Sequence, residues 1–337
     1  MTRLDLNEDS QASLRAAVRL ASAVVRTPLL RSSALDHMTG CSVLIKPECL
    51  QVGGSFKYRG ALNKLLQLNP SASRHVVAYS SGNHAVATAL AAARLDWTAT
   101  LVMPADAPAM KIALARAAGG RIEFYDRRVD DRVAKTQRLA EDLQAPIIPS
   151  FDDLDVIAGQ STVVLEMIQD AREQGIEIDD ILVPCGGGGL LAGAVLAVQA
   201  SNSQAQIYSV EPSGFDDMAR SLASGVPQRN ARRTGSICDA LLIEQPGEVT
   251  LPIIARRVRG GIAVSDAEVS QAMQFAFRQL KLVVEPGGVV ALAALLSGAV
   301  NGPRRTLGIV LSGGNVDSQL FASLIMDESF EPAVALA

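Results

Sequence analysis

Lys57 lies in Gly53-Gly54-Ser55-Phe56-Lys57-Tyr58-Arg59-Gly60, one of only six lysines in the chain, among small and apolar neighbours. An amine shielded from water favours its neutral form, the form that attacks a carbonyl carbon, so Lys57 is a candidate for Schiff-base chemistry. The simpler alternative is a solvated lysine opening a helix. Cys185-Gly186-Gly187-Gly188-Gly189-Leu190 joins an apolar run to an alanine-rich helical stretch. Glycines permit the tight turn and let main-chain N–H groups converge on one anion, backed by a helix N-terminus. The run lacks the lysine of a nucleotide P-loop and the acidic residue of a dinucleotide fingerprint, which favours a single phosphate monoester. A flexible turn is its alternative.

Two more strand-to-helix junctions carry polar groups. Ser80-Ser81-Gly82-Asn83-His84 offers hydroxyls, an amide and main-chain donors where open α/β sheets bind ligands, and suits a carboxylate. Read alone it is also an ordinary capping turn, with His84 a satisfied histidine. Ser312-Gly313-Gly314-Asn315 presents a hydroxyl that can hydrogen-bond a ring nitrogen without forcing a proton onto it. An imine lysine, a phosphate loop and a ring-nitrogen partner together imply a phosphorylated aldehyde cofactor, and pyridoxal 5'-phosphate fits all three.

The elements that must position these residues alternate. Val43–Lys46, His75–Tyr79, Ala99–Met103, Arg121–Tyr125, Ile181–Pro184, Ile207–Val210 and Thr306–Leu311 read as strands, with helical stretches between most of them. That alternation predicts parallel sheets covered on both faces. A first helix is expected from Ser10 to Val25, capped by Asp9 or Ser10, and Ser55 is expected to cap the helix that carries Lys57. Residues 225–247 read as an irregular excursion.

At 337 residues the chain exceeds the size at which single cores usually stop growing. A net charge of −4 gives no basic footprint for nucleic acid. Four cysteines without paired spacing read as reduced thiols of a cytoplasmic protein. No run of about 18 apolar residues supports a membrane span.

The motifs Ser55-Phe56-Lys57-Tyr58-Arg59-Gly60-Ala61, Ser80-Ser81-Gly82-Asn83-His84, Ile157-Ala158-Gly159-Gln160, Gly186 to Gly189 and Ser312-Gly313-Gly314-Asn315-Val316-Asp317 appear in that order. Together they resemble the threonine/serine dehydratase and serine racemase family of fold-type II pyridoxal phosphate enzymes. The resemblance implies two open parallel-sheet α/β domains of the tryptophan synthase beta type with the cofactor between them. The large domain would span 1–70 and 152–337, and the small one 71–151. It implies that Lys57 carries the cofactor, that Gly186, Gly187, Gly188 and Gly189 hold its phosphate, and that Asn83 bonds the 3′-oxygen. Ser312 would face the ring nitrogen and Phe56 would pack near the ring. Ser80, Ser81, His84 and Arg132 would bind substrate, with Ser81 also placed to exchange a proton with Cα. Glu211, the Phe215 carbonyl and Asp217 resemble a divalent-cation site for Mg²⁺ or Ca²⁺.

The implied activity is a dehydratase releasing a 2-keto acid and ammonia from a hydroxyamino acid, first L-threonine or L-serine, in a homodimer. Phe151 is the dehydratase-like choice where mammalian-type racemases carry a polar asparagine. The alternatives are a serine or aspartate racemase, or a dehydratase of 3-hydroxyaspartate or of a hydroxyectoine-derived compound. A non-catalytic ligand-binding protein would keep the phosphate loops without needing the imine.

Overall fold

The structure, a computed structural model, describes residues 6–300 and 305–326. Two separate sheets organise it. Strands are labelled β1 (Leu30–Arg31), β2 (Ser42–Pro47), β3 (His75–Tyr79), β4 (Thr98–Pro104), β5 (Arg121–Tyr125), β6 (Asp180–Pro184), β7 (Gln206–Pro212), β8 (Val258–Val264) and β9 (Thr306–Leu311). The larger sheet has the order β1-β2-β9-β6-β7-β8, and the smaller is β3-β4-β5. Every pairing is parallel except the edge strand β1 on β2. Ile147 adds a parallel bridge beside Val77.

Continuous apolar strands need cover on both faces, and the core shows it. Val43, Leu44, Ile45, Ile181, Leu182, Val183, Ile309 and Val310 are all fully buried. The helices Leu154–Glu173 and Gly189–Ala200 pack on one face of the large sheet, and Asp266–Phe275 with Pro286–Leu296 on the other. The helix Lys57–Leu65 touches both units: its Tyr58, Ala61 and Leu62 share a core cluster with Val76, Ala78 and Leu101 of the small sheet, while it also packs along Leu154–Glu173. Among the described residues no helix is long and apolar enough to cross a membrane.

Several expectations from sequence need correction. The first helix runs Leu6–Leu20, so its start lies before Asp9 and Ser10. Ser55 caps nothing: the residue before the helix is Phe56, without a side-chain cap, and Ser55 is extended and bridges Gly313. The helix Ser33–Thr39 and the strand β8 were not anticipated. In β8 the pair Gly260-Gly261 hides the strand signal, and a Cβ on Gly261 would lie 2.3 Å from Ala219 Cβ, where the helix Asp217–Ser224 crosses the sheet. The excursion 225–247 is irregular as expected, broken only by a 3₁₀ turn at Asp239–Leu241.

Candidate functional site

The polar loops singled out in the sequence all leave the carboxyl ends of parallel strands, where open α/β sheets leave a crevice. β3 delivers Ser80–His84, β6 delivers Gly186–Gly189 and β9 delivers Ser312–Asn315. Lys57 follows β2 after two 3₁₀ turns and is the first residue of its helix. Main-chain bonds fasten this segment to the β9 loop: Phe56 N–H donates to Ser312 O at 3.1 Å and Gly314 N–H to Gly54 O at 2.8 Å. The Asn315 amide then donates to Gly53 O at 2.8 Å and to Asn83 Oδ1 at 2.9 Å. Lys57, Ser312 and Asn83 thus meet at one place.

The Lys57 amine has no carboxylate partner among the described residues. It donates to the main-chain oxygen of Ser150 at 2.7 Å and lies 5.0 Å from the Phe56 ring centroid. Loss of water around it, with no countercharge, lowers its pKa to about 8. His84 is buried. Its Nε2–H donates to Ile148 O at 2.9 Å, which leaves Nδ1 buried and without a partner. Burial, with the Lys57 charge second, pushes His84 down to about 3, so it stays neutral.

The glycine loop is shaped by what approaches it. A Cβ on Gly187 would lie 2.4 Å from the Phe151 ring. Gly188 has φ +94°, open to glycine but not to side chains without strain, and caps the helix Gly189–Ala200. Thr250 Oγ1–H donates to Gly187 O at 2.7 Å, and Ala192 N–H to Gly188 O at 2.7 Å. With these carbonyls tied down, the unpaired N–H groups of the helix's first turn remain for an anion. A glycine cradle at a helix start and a desolvated amine without a countercharge fit pyridoxal phosphate.

The remaining candidates are scattered around this centre. Ser80 Oγ accepts from Gly82 N–H at 3.1 Å, whereas the Ser81 hydroxyl has no partner among the described residues. Arg132 opens the helix Arg132–Asp142, and its guanidinium lies 5.4 Å from the ring of Tyr79, the residue before Ser80. Glu211, on β7, sits apart with Phe215 and Asp217, which follow that strand. Glu211 accepts from Met218 N–H and Ala219 N–H, both at 2.9 Å, and Asp217 Oδ1 from Asn230 at 2.6 Å. Burial raises Glu211 to about 8, with the Asp217 charge adding to it, and burial raises Asp217 to about 6. Asp217 Oδ2 is buried without a partner. Two crowded carboxylates suit a cation, yet no cluster of three or more His, Cys, Asp or Glu side chains exists among the described residues, so it would lean on the Phe215 carbonyl.

Sequence reading passed over Ser150, Asp152, Lys111 and Glu285 as parts of this region. Asp152 caps the helix Thr250–Ile254, accepting from the N–H of Glu248, Val249 and Thr250 at 3.0, 2.8 and 3.1 Å. Ser161, the residue after the Gln160 motif, faces Ser13 with hydroxyls 2.5 Å apart.

The family of pyridoxal-phosphate dependent enzymes matches residues 20–313. The L-threo-3-hydroxyaspartate ammonia-lyase of a Pseudomonas species is 41% identical over 313 residues, covering 93% of this chain and 97% of that one. The serine racemase of Oryza sativa subsp. japonica is 37% identical over 319 residues, 92% of this chain and 91% of that one. Among solved structures, a T.th. threonine deaminase superposes with a TM-score of 0.86 at 41% identity, covering 91% of this chain and 98% of that chain. Maize serine racemase superposes with a TM-score of 0.86 at 36% identity, covering 94% and 96%. The chain therefore belongs to the fold-type II pyridoxal-phosphate dependent enzymes, in the branch of amino-acid ammonia-lyases and racemases.

Proposed function

We propose that this protein is a cytoplasmic, homodimeric ammonia-lyase that converts a 3-hydroxy amino acid to a 2-keto acid and ammonia, with L-threo-3-hydroxyaspartate as the preferred substrate. The observation that carries the lyase reading is the desolvated Lys57 amine, without a countercharge, at the meeting point of the glycine loop, the Asn83 loop and the Ser312 loop. Two features favour a substrate with a second carboxylate. Arg132 is a cation beside the Ser80 loop with no acidic partner among the described residues. The full-length similarity to a hydroxyaspartate ammonia-lyase points the same way. L-threonine and L-serine, expected first from the motifs, remain as slower substrates.

Bound pyridoxal phosphate supplies an electron sink next to the substrate Cα. Gly186, Gly187, Gly188 and Gly189 would hold its phosphate, Asn83 its ring oxygen and Ser312 its ring nitrogen, with Phe56 packed nearby. Lys57 Nζ takes the Cα proton, and an amine with a pKa of about 8 can both accept and release that proton near neutral pH. The Ser150 carbonyl aims Nζ by its hydrogen bond. Ser80, Ser81 and the main-chain donors at the helix start would orient the α-carboxylate, and His84, being neutral, adds no competing charge. Water lost with the β-hydroxyl is regained in hydrolysis, so the net products are keto acid and ammonia. Supported by the buried, unpartnered Asp217 Oδ2, Glu211, the Phe215 carbonyl and Asp217 are proposed to hold Mg²⁺ or Ca²⁺ away from the chemistry.

The test is a panel of L- and D-hydroxyamino acids, including both 3-hydroxyaspartate diastereomers, assayed for keto acid. The proposal expects kcat/KM for L-threo-3-hydroxyaspartate to exceed that for L-threonine, and Arg132→Met to erase the difference. Equal rates on both substrates would remove the hydroxyaspartate assignment, and activity that survives Lys57→Ala would remove the lyase reading. The unpartnered Ser81 hydroxyl favours a second activity, proton return to Cα from another direction. Ser81→Ala should then abolish enantiomer exchange, while elimination persists at a rate lowered only by the lost carboxylate contact.

A further inference from the structure

We propose that Lys111 is a positioning residue: through Glu285 it fixes which way the Asn83 amide faces, and so couples the small sheet to the cofactor site. This rests on the role given above to Asn83. Lys111 belongs to the helix Ala109–Ala117, which follows β4, yet its side chain is only 2% exposed. It passes directly beneath the Ser80–His84 loop, so closely that a Cβ on Gly82 would lie 2.7 Å from Lys111 Cδ. The amine donates to Asp239 Oδ2 at 2.7 Å and lies 3.2 Å from Glu285 Oε2. Asp239 comes from the irregular 225–247 segment and Glu285 from the start of Pro286–Leu296. One side chain of the small unit therefore reaches two carboxylates of the large one.

Glu285 Oε1 accepts from Asn83 Nδ2, and Asn83 Oδ1 accepts from Asn315 Nδ2 at 2.9 Å. An ionised carboxylate can only accept, so it admits only the amide's NH₂ end. With Asn315 donating from the other side, the Asn83 amide has one allowed orientation, and its second N–H is left for the cofactor. A protonated Glu285 could donate instead, and the amide could turn over. Burial favours that neutral form, with Asp239 adding to it; the Lys111 charge opposes it, as does the Asn83 hydrogen bond. The Cys49 and Cys238 thiols feel the Glu285 charge, and burial first of all holds both raised to about 12, so neither supplies charge. Lys111 keeps its own proton: burial works against the charge, and Glu285 and Asp239 outweigh it.

Four proteins test this: wild type, Lys111→Met, Glu285→Gln and the double variant. The readouts are the pyridoxal phosphate Kd of the cofactor-free proteins by equilibrium dialysis, kcat/KM, melting temperature, and hydrogen exchange of the peptide covering residues 80–92 without cofactor. Lys111→Met should weaken cofactor binding and lower kcat/KM by about tenfold each, and speed exchange in that peptide. Glu285→Gln, whose amide can donate as a protonated carboxyl can, should lose a similar amount, and the double variant should lose no more than either single variant, because both residues act through the one Asn83 contact. If Lys111 only fills space, the methionine of similar length will leave Kd and exchange at wild-type values, and the proposal falls. It falls equally if the losses of the two single variants add in the double variant at matched melting temperature. Should Lys111→Met not fold, Lys111→Arg decides: binding within about threefold of wild type supports a charge role, and a full tenfold loss overturns it. A wild type that binds no pyridoxal phosphate would instead defeat the functional reading, and the exchange data would still decide the Lys111 coupling.

Discussion

The apoprotein should capture pyridoxal phosphate at Lys57 with a pH midpoint near 8. A lysine at its ordinary value of 10.5 is neutral in about one molecule in 3,000 at pH 7, whereas at about 8 it is neutral in about one in ten. The gain in reactive amine is about 300-fold, an upper limit on the rate gain because a less basic amine is also a weaker nucleophile. The assay mixes apoprotein with cofactor between pH 6 and 10, traps the adduct with borohydride and locates it by peptide mass. The rate at Lys57 should climb to about pH 8 and then level off. A rise that continues unbroken to pH 10 would show an ordinary lysine and refute the desolvation account. The sign for stability follows from the same shift. Between about pH 8 and 10.5 the unfolded chain holds this proton and the folded one does not, so stability rises with pH across that window. Below pH 8 the full penalty applies, at most about 3 kcal/mol and about half that once the side chain's partial exposure is allowed for. Lys57→Met should therefore gain most over wild-type apoprotein at pH 7 and least at pH 10.

Three further outcomes can be checked on the same protein. Gly188→Ala must hold φ +94° and place a methyl 2.8 Å from Ile254 Cδ1; it should cost about 1–3 kcal/mol and raise the cofactor Kd at least about tenfold by titration. Arg59, fully buried, donates to Glu48 at 2.8 Å and to Glu166 at 2.7 Å. Arg59→Met should lower stability in urea by about 3–5 kcal/mol, and a loss under about 1 would show the network to be dispensable. Added Mg²⁺ or Ca²⁺ should raise the melting temperature of wild type and not of Asp217→Asn; identical curves for the two proteins would remove the cation assignment.

The parts of the site written as local patterns were legible in the sequence. Gly186–Gly189, Ser80–His84 and Ser312–Asn315 each follow a run of buried apolar residues, and strand-then-glycine or strand-then-serine junctions have a local physical signature. What holds these loops together left no such trace. Glu285 reads in sequence as part of a Glu-Pro pair between two helical stretches, and Lys111 as one charge on a short helix; their meeting depends on two sheets folding against each other. Ser55 misled because serine before a helix is usually a cap, and here the tie to Gly313 takes precedence. β8 was missed because its glycines, needed for close helix packing, erase the alternation that marks a strand.

The chain returning from the small unit to the large one passes through Ile148, Ser150, Phe151 and Asp152. In turn these hold His84, hold Lys57, lie against Gly187 and cap Thr250–Ile254. The hold on Lys57 is made by a main-chain oxygen. Exchanging the side chain at 150 leaves that oxygen in place, so a saturation scan of single substitutions would score the position as tolerant and miss its part in aiming the amine. Only changes that shift the main chain, such as a one-residue insertion between 148 and 152, would expose it.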